Sequence, residues 1–142
     1  MRADDYAGYR KLAVATPLRI AAGEHESERQ SFVQLMDEGQ VDVTGYGGCT
    51  EAMKIAALAY DRGLPAANHG FSTYLNVTAA LHWLNAIPNG LICEFVAEGS
   101  TNLREHITWQ KLRAVDGYLA IPDAPGLGID LDEEAVRRLR IL

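Results

Sequence analysis

The chain has 142 residues, 48% of them apolar and 23% charged, with 13 Lys+Arg against 19 Asp+Glu for a net charge of −6. This is the composition of one ordinary globular domain with enough apolar residues to bury a core, which excludes a disordered chain. An acidic chain whose basic residues are scattered, apart from Arg137, Arg138 and Arg140 near its end, speaks against nucleic acid or an anionic membrane as partner. Cys49 and Cys93 make no disulfide framework, so a reducing, cytoplasmic setting is expected. The acidic start Met1-Arg2-Ala3-Asp4-Asp5-Tyr6 has no apolar run behind it, so no signal peptide is expected. No apolar stretch approaches the ~20 residues of a membrane span.

Taken in chain order, Asp4 to Val14 reads as a helix with Tyr6, Tyr9, Leu12 and Ala13 on one face, stopped by Pro17. Leu18 to Ala22 is a short buried strand ending at Gly23-Glu24. Glu26 to Glu38 is a helix with Phe32, Leu35 and Met36 apolar, ended by Gly39. Val41-Asp42-Val43 is a very short strand, and Gly45, Gly47 and Gly48 form a loop. Thr50 caps a helix to Arg62, closed by Gly63. Leu64 to Asn68 is a strand ending at His69-Gly70, Thr73 to Ala86 an apolar helix, and Leu91 to Val96 the last clear strand. A strand every ~25 residues with a helix between is the rhythm of a parallel α/β sheet. The tail differs. Residues 99 to 110 are polar and irregular, residues 117 to 122 read as a strand or extended arm, and Pro125-Gly126-Leu127-Gly128 is a turn-rich loop. Asp130 or Asp132 caps a final helix whose acidic first turn and basic last turn complement its dipole.

In parallel α/β folds chemistry collects just past the carboxyl ends of the strands. The polar groups at those places are Glu24, Asp42, His69 and Glu94. Three carboxylates and an imidazole on one rim are a set that can hold a divalent cation and move a proton. Each residue also has a plainer reading. Glu24 suits the N-terminus of the helix after it, Asp42 the solvent side of a strand edge, and His69 a hydrogen-bonded loop. Glu94 is harder to dismiss: it interrupts an apolar strand, and a buried carboxylate needs a partner. His25 stands beside Glu24 as a supporting group, and His82 reads as helix packing or a surface contact. Gly45-x-Gly47-Gly48 lacks the spacing of a dinucleotide fingerprint.

Several stretches join these pieces. Ile20-Ala21-Ala22-Gly23-Glu24-His25-Glu26, Gly47 to Ala59, Ala67-Asn68-His69-Gly70, Cys93-Glu94-Phe95 and Pro125-Gly126-Leu127-Gly128-Ile129 occur in an order and spacing that resemble the enolase superfamily. The resemblance is to its mandelate racemase/muconate lactonizing enzyme-like members that act on acid sugars, and it covers nearly the whole chain. It implies a (β/α) barrel capped by an α+β domain and binding one Mg²⁺. By the same resemblance Glu24 is a metal ligand, His69 the general base, Glu94 the acid that hydrogen-bonds the substrate carboxylate, and Asp42 either the group that orients the base or an aspartate early in the same strand.

Since ~250 residues make a complete barrel of eight βα units, the resemblance implies its C-terminal half. That half has about four parallel strands with helices over residues 1–115, then an arm and helix over 116–142 that would join the capping domain. The family's lysine pair and its other two metal ligands have no counterpart here. The segment between Gly39 and Thr50 is shorter than in the family, and Gly45 stands where relatives often carry a basic residue. The implied parent activity is Mg²⁺-dependent abstraction of the proton alpha to a carboxylate, with dehydration of a sugar acid to a 2-keto-3-deoxy acid. Racemisation or epimerisation of a 2-hydroxy acid, or a non-catalytic half-barrel, are the alternatives. The expected partners are a small sugar acid and further copies of the chain. Taken alone, the chain is expected to bind Mg²⁺ weakly and to be inactive.

Overall fold

In a computed structural model of the chain, the residues described are 2–39, 42–45, 48–96 and 102–140, with only the backbone described for 42–45 and 102. Their contacts sort into two compact units, Met1–His69 with Trp83–Ile92, and Gly70–His82 with Cys93–Leu142.

The first unit is built on four parallel strands that neighbour one another in chain order: β1 (Ala21–Ala22), β2 (Asp42–Gly45), β3 (Ala66–Asn68) and β4 (Gly90–Ile92). The register pairs Ala21 with Asp42, Val43 with Ala66, and Ala66 with Gly90. This is the parallel α/β sheet expected from the strand–helix rhythm, and the half-barrel implied by the resemblance. Two strands are shorter than their apolar runs. The described ladder begins at Ala21, and Leu18 before it is exposed, its N–H bonded to the Thr16 hydroxyl. Beyond Ile92 the chain leaves β3, whose last residue is Asn68, so the ladder stops. Residues of β3 are buried throughout, as a central parallel strand requires. Leu91 and Ile92 of β4 are 52% and 65% exposed, so the first part of the apolar run 91–96 does not record burial within this unit.

Helices flank the sheet. Helix α1 (Tyr6–Ala15) starts where the Asp5 carboxylate accepts the Gly8 N–H at 2.9 Å, satisfying a donor the helix leaves orphaned. Helix α2 (Arg29–Gln34) runs into a π-helical turn, Leu35–Gly39, instead of continuing as one α-helix from Glu26. Glu26 is drawn off before the helix begins: its N–H bonds the Gly23 carbonyl and its carboxylate accepts the Tyr6 hydroxyl at 3.2 Å. The wide turn still buries Leu35 and Met36 and turns the Asp37 and Glu38 carbonyls to the Arg10 guanidinium. The Arg62 Nε grips the Asp37 carboxylate at 2.6 Å. In α3 (Gly48–Tyr60), Ala52, Ile55, Ala56 and Ala59 are buried at helical spacing. Helix α3 begins at Gly48, so Thr50 lies within its first turn and is not its cap. Gly45, expected in a loop, ends β2.

Asn89 ties this unit together. Its side-chain N–H₂ donates to the Ala56 and Leu64 carbonyls, each at 3.0 Å, and its own carbonyl accepts the Ala66 N–H. Gly90 follows because a Cβ there would stand 2.7 Å from the Leu84 carbonyl oxygen.

Helix α4 (Tyr74–Ala86) contributes its first part to the second unit. There Tyr74, Val77, Leu81 and Leu112 form the core, with Cys93, Phe95, Leu119 and Ile129 packed against it. The stretch expected to be irregular holds a short helix, α5 (Asn102–His106). Of the strand or arm expected at 117–122, the strand is found: β5 (Ala114–Val115) and β6 (Tyr118–Leu119) form a hairpin, closed by Asp116 and Gly117, both at positive φ. That is the two-residue turn that suits the right-handed twist of paired strands. The Trp109 N–H bonds the Asp130 carbonyl, and the Asp132 N–H bonds the Ile107 carbonyl. The Asp132 carboxylate then caps α6 (Glu133–Leu139) through the Ala135 N–H, as expected.

Candidate active site

The first unit carries a His–Glu pair at the carboxyl ends of its strands. His69 follows β3 directly, and Glu24 stands two residues past β1. Gly23 between β1 and Glu24 has φ 119°, a conformation that side chains disfavour and that lets the chain turn sharply off the strand. Strands β1 and β3 are separated by β2, hence by about 10 Å. Glu24 and His69 nevertheless meet, with His69 Nδ1 3.3 Å from Glu24 Oε2. Only long side chains leaning toward each other across the rim can close that span. The other carboxylate oxygen of Glu24 lies 3.3 Å from His25 Nε2, which gives His25 the supporting position expected of it. Beside this pair, Gly23, Glu24, His25 and Glu26 line a cavity of about 310 Å³ with Ala21 and Tyr9. Burial, with Glu26 second, raises the Tyr6 hydroxyl above its ordinary pKa.

Asp42 does not stand at the strand end, where the group that orients the base is expected, but early in its strand, the other position the resemblance leaves open for it. It opens β2, paired with Ala21, and the strand runs on to Gly45 before its carboxyl end. The backbone therefore sets Asp42 at the opposite end of β2 from the rim, because the strand extends beyond Val43. Its side chain, like residues 46 and 47, falls outside the described set.

The second unit holds Glu94. It was expected inside a buried strand, but it lies two residues past β4 and is exposed. Its carboxylate is still fixed: Oε2 accepts the Gly70 N–H at 2.9 Å. Next to it Phe95 stacks on Tyr74, ring centroids 6.4 Å apart. Cys93, on the other side, packs against the core of this unit, and burial and then the Glu94 charge push its thiol up to about 11, which keeps it protonated at neutral pH. Arg104, 1% exposed, underlies these loops. The sequence does not mark it, since Asn102-Leu103-Arg104-Glu105-His106 has no apolar periodicity. His82 Nε2 meets the Leu127 carbonyl at 3.2 Å, the packing role expected for it.

Magnesium prefers six oxygen ligands in near-octahedral array. The described residues join one carboxylate, Glu24, to two imidazoles, and among them no three of His, Cys, Asp or Glu gather as a metal-binding set. By themselves they do not fit a Mg²⁺ ion.

A parallel half-barrel with a His–Glu pair on its rim defines an α/β protein with the polar groups of proton-transfer chemistry. Residues 1–135 match the enolase C-terminal domain-like family, and the chain belongs to it. The chain is 31% identical to the D-galactarolactone cycloisomerase of Agrobacterium fabrum over 94% of its length and 38% of that enzyme's. It is 34% identical to the D-galactonate dehydratase of Xanthomonas euvesicatoria, over 92% of its length and 37% of that enzyme's. Among solved structures, a member of the enolase superfamily from Polaromonas superposes with a TM-score of 0.84 at 34% identity, covering 100% of this chain and 39% of that one. The 3,6-anhydro-D-galactonate cycloisomerase of Zobellia galactanivorans superposes with a TM-score of 0.85 at 29% identity, covering 97% and 40%. The chain thus spans 37–38% of the length of these curated relatives. No helix among the described residues is long and apolar enough to cross a membrane.

Proposed function

We propose that the chain supplies the base side of an active site that removes the proton alpha to the carboxylate of a sugar acid, leading to loss of a beta-hydroxyl and a 2-keto-3-deoxy acid. The observation that carries this reading is the contact between His69 Nδ1 and the Glu24 carboxylate at 3.3 Å. A carboxylate at Nδ1 favours the tautomer with its proton there, which leaves the basic lone pair on Nε2. His69 is then the general base, and Glu94, steadied by the Gly70 N–H, is the acid facing the substrate carboxylate. Asp42 stays outside this assignment because its backbone stands at the far end of β2. Names of relatives support the substrate class, since dehydratases of galactonate and rhamnonate are among them. The same reading takes residues 1–115 as barrel and 116–142 as an arm toward a further domain, in a cytoplasmic enzyme that associates with copies of itself.

No step here runs through a metal, because the described residues alone do not fit one. That mismatch favours a second reading, a half-barrel without catalysis of its own. The two are separated by joining the chain to the preceding segment of a relative and following galactonate or rhamnonate in deuterated water with Mg²⁺ by NMR. The proposal expects turnover and exchange of the alpha proton. In that protein His69→Asn should lower exchange by about 10²–10⁴-fold, the usual worth of a general base. Exchange unchanged by His69→Asn removes His69 from the chemistry, and absence of turnover in the joined protein favours the non-catalytic reading.

A further inference from the structure

Arg104 is one of the most deeply buried side chains of the second unit, yet it carries a charge that no apolar core accommodates without compensation. Backbone carbonyls supply that compensation. Nη2 donates to the Gly70 and Phe71 carbonyls at 3.1 and 2.9 Å, Nε to the Ser72 carbonyl at 3.0 Å, and Nη1 to the Val96 carbonyl at 2.6 Å. The guanidinium carbon also lies 5.9 Å from the centre of the Phe95 ring. Three of the acceptors are consecutive residues of the loop that follows His69, and the fourth is two residues past Glu94.

We propose that Arg104 is a positioning residue for Glu94, locking the loop after β3 and the loop after β4 into one arrangement. The link is Gly70. Its carbonyl is held by Arg104, while its N–H is the donor that holds the Glu94 carboxylate. The planar guanidinium matters. Five donors in a fixed fork can serve several carbonyls at once, whereas a lysine ammonium is a compact point charge that cannot span them. Releasing the carbonyls frees the Gly70–Phe71 peptide and, through rotation about the Gly70 φ and ψ, lets the adjoining peptide that carries the Gly70 N–H turn, so the Glu94 carboxylate loses that donor without any change in its own chemistry. The functional meaning rests on the reading of Glu94 given above, but the geometric claim stands apart from it and is tested without turnover.

The test is amide NMR on the isotope-labelled 142-residue chain. Glu94→Ala identifies the Gly70 amide resonance as it stands without a side-chain acceptor. Arg104→Lys should move the Gly70 resonance most of the way to that position and speed its hydrogen exchange about tenfold or more, while the α4 amides of Val77 and Thr78 keep their protection. Adding Glu94→Ala to Arg104→Lys should then shift Gly70 little further. Gly70 keeping its native shift and exchange in a folded Arg104→Lys chain overturns the proposal. Should that variant fail to fold, the unaltered chain decides: the Arg104 Nε–H is expected to exchange slowly, and a freely exchanging one overturns the proposal as well. A joined protein without turnover leaves these results where they are, so failure of the functional reading and failure of this one are distinguishable.

Discussion

Substituting Asn89 by leucine and by aspartate separates two terms that a simple loss-of-contact argument would merge. The Asn89 amide nitrogen donates to the Ala56 and Leu64 carbonyls at 3.0 Å each, and two carbonyl partners leave no doubt which end of the amide faces them. The amide oxygen is buried and has no hydrogen-bond partner among the described residues. Net worth per hydrogen bond is about 1 kcal/mol, and an orphaned buried acceptor costs about 1–3 kcal/mol. Asn89→Leu loses both bonds, about 2 kcal/mol, but also removes the orphaned oxygen, worth about 1–3 kcal/mol, so the net change lies within about 1 kcal/mol of zero. Asn89→Asp keeps the shape, loses both donors and turns a carboxylate toward two carbonyls, for a loss of about 3 kcal/mol or more at neutral pH. The nearer isostere is thus expected to be the more damaging change. Urea unfolding at constant slope measures both. A leucine variant as unstable as the aspartate one, or an aspartate variant within about 0.5 kcal/mol of the parent, would refute the assignment of Asn89 as a donor-only pin.

Cys93, pushed up to about 11 by burial and by Glu94, should have about one thiol in a thousand ionised at pH 8, so iodoacetamide should modify it far more slowly than an unfolded-chain thiol. Because the unfolded chain gives up that proton first, near pH 9, stability should fall as pH rises from 9 toward 11, and Cys93→Ser should lessen that fall. Gly128 has φ 74°, and a Cβ there would stand 2.4 Å from the Pro122 Cβ. Gly128→Ala should therefore cost about 2–4 kcal/mol, read as a lowered thermal midpoint.

The strand–helix rhythm was legible because it rests on apolar period and on helix stops such as Pro17, Gly39 and Gly63, which act locally. Asp132 was legible as a cap for the same reason. The rim position of His69 followed from a strand that ends at Asn68. Glu94 misled because Leu91 to Val96 looks like a strand, while the ladder needs a partner and β3 supplies none beyond Asn68. The strand reading of residues 117–122 fits Tyr118–Leu119 of β6, and the Asp116-Gly117 pair before it is a strong hairpin signal. Arg104 and Asn89 were not legible at all. What defines them is a set of backbone carbonyls brought together from distant residues, and carbonyls leave no mark in a sequence.

The strands neighbour one another in chain order, and each register pair closes a loop of roughly twenty to twenty-five residues. Loop-closure entropy depends only on the logarithm of length, so the three pairings cost nearly the same, and none waits for a remote segment. On a ribosome, which adds about 5–20 residues per second, successive strands emerge roughly one to five seconds apart. Each newcomer then meets an edge that is already formed. Such a sheet grows by accretion in the direction of synthesis, and the edge available to the next strand is always the one most recently made.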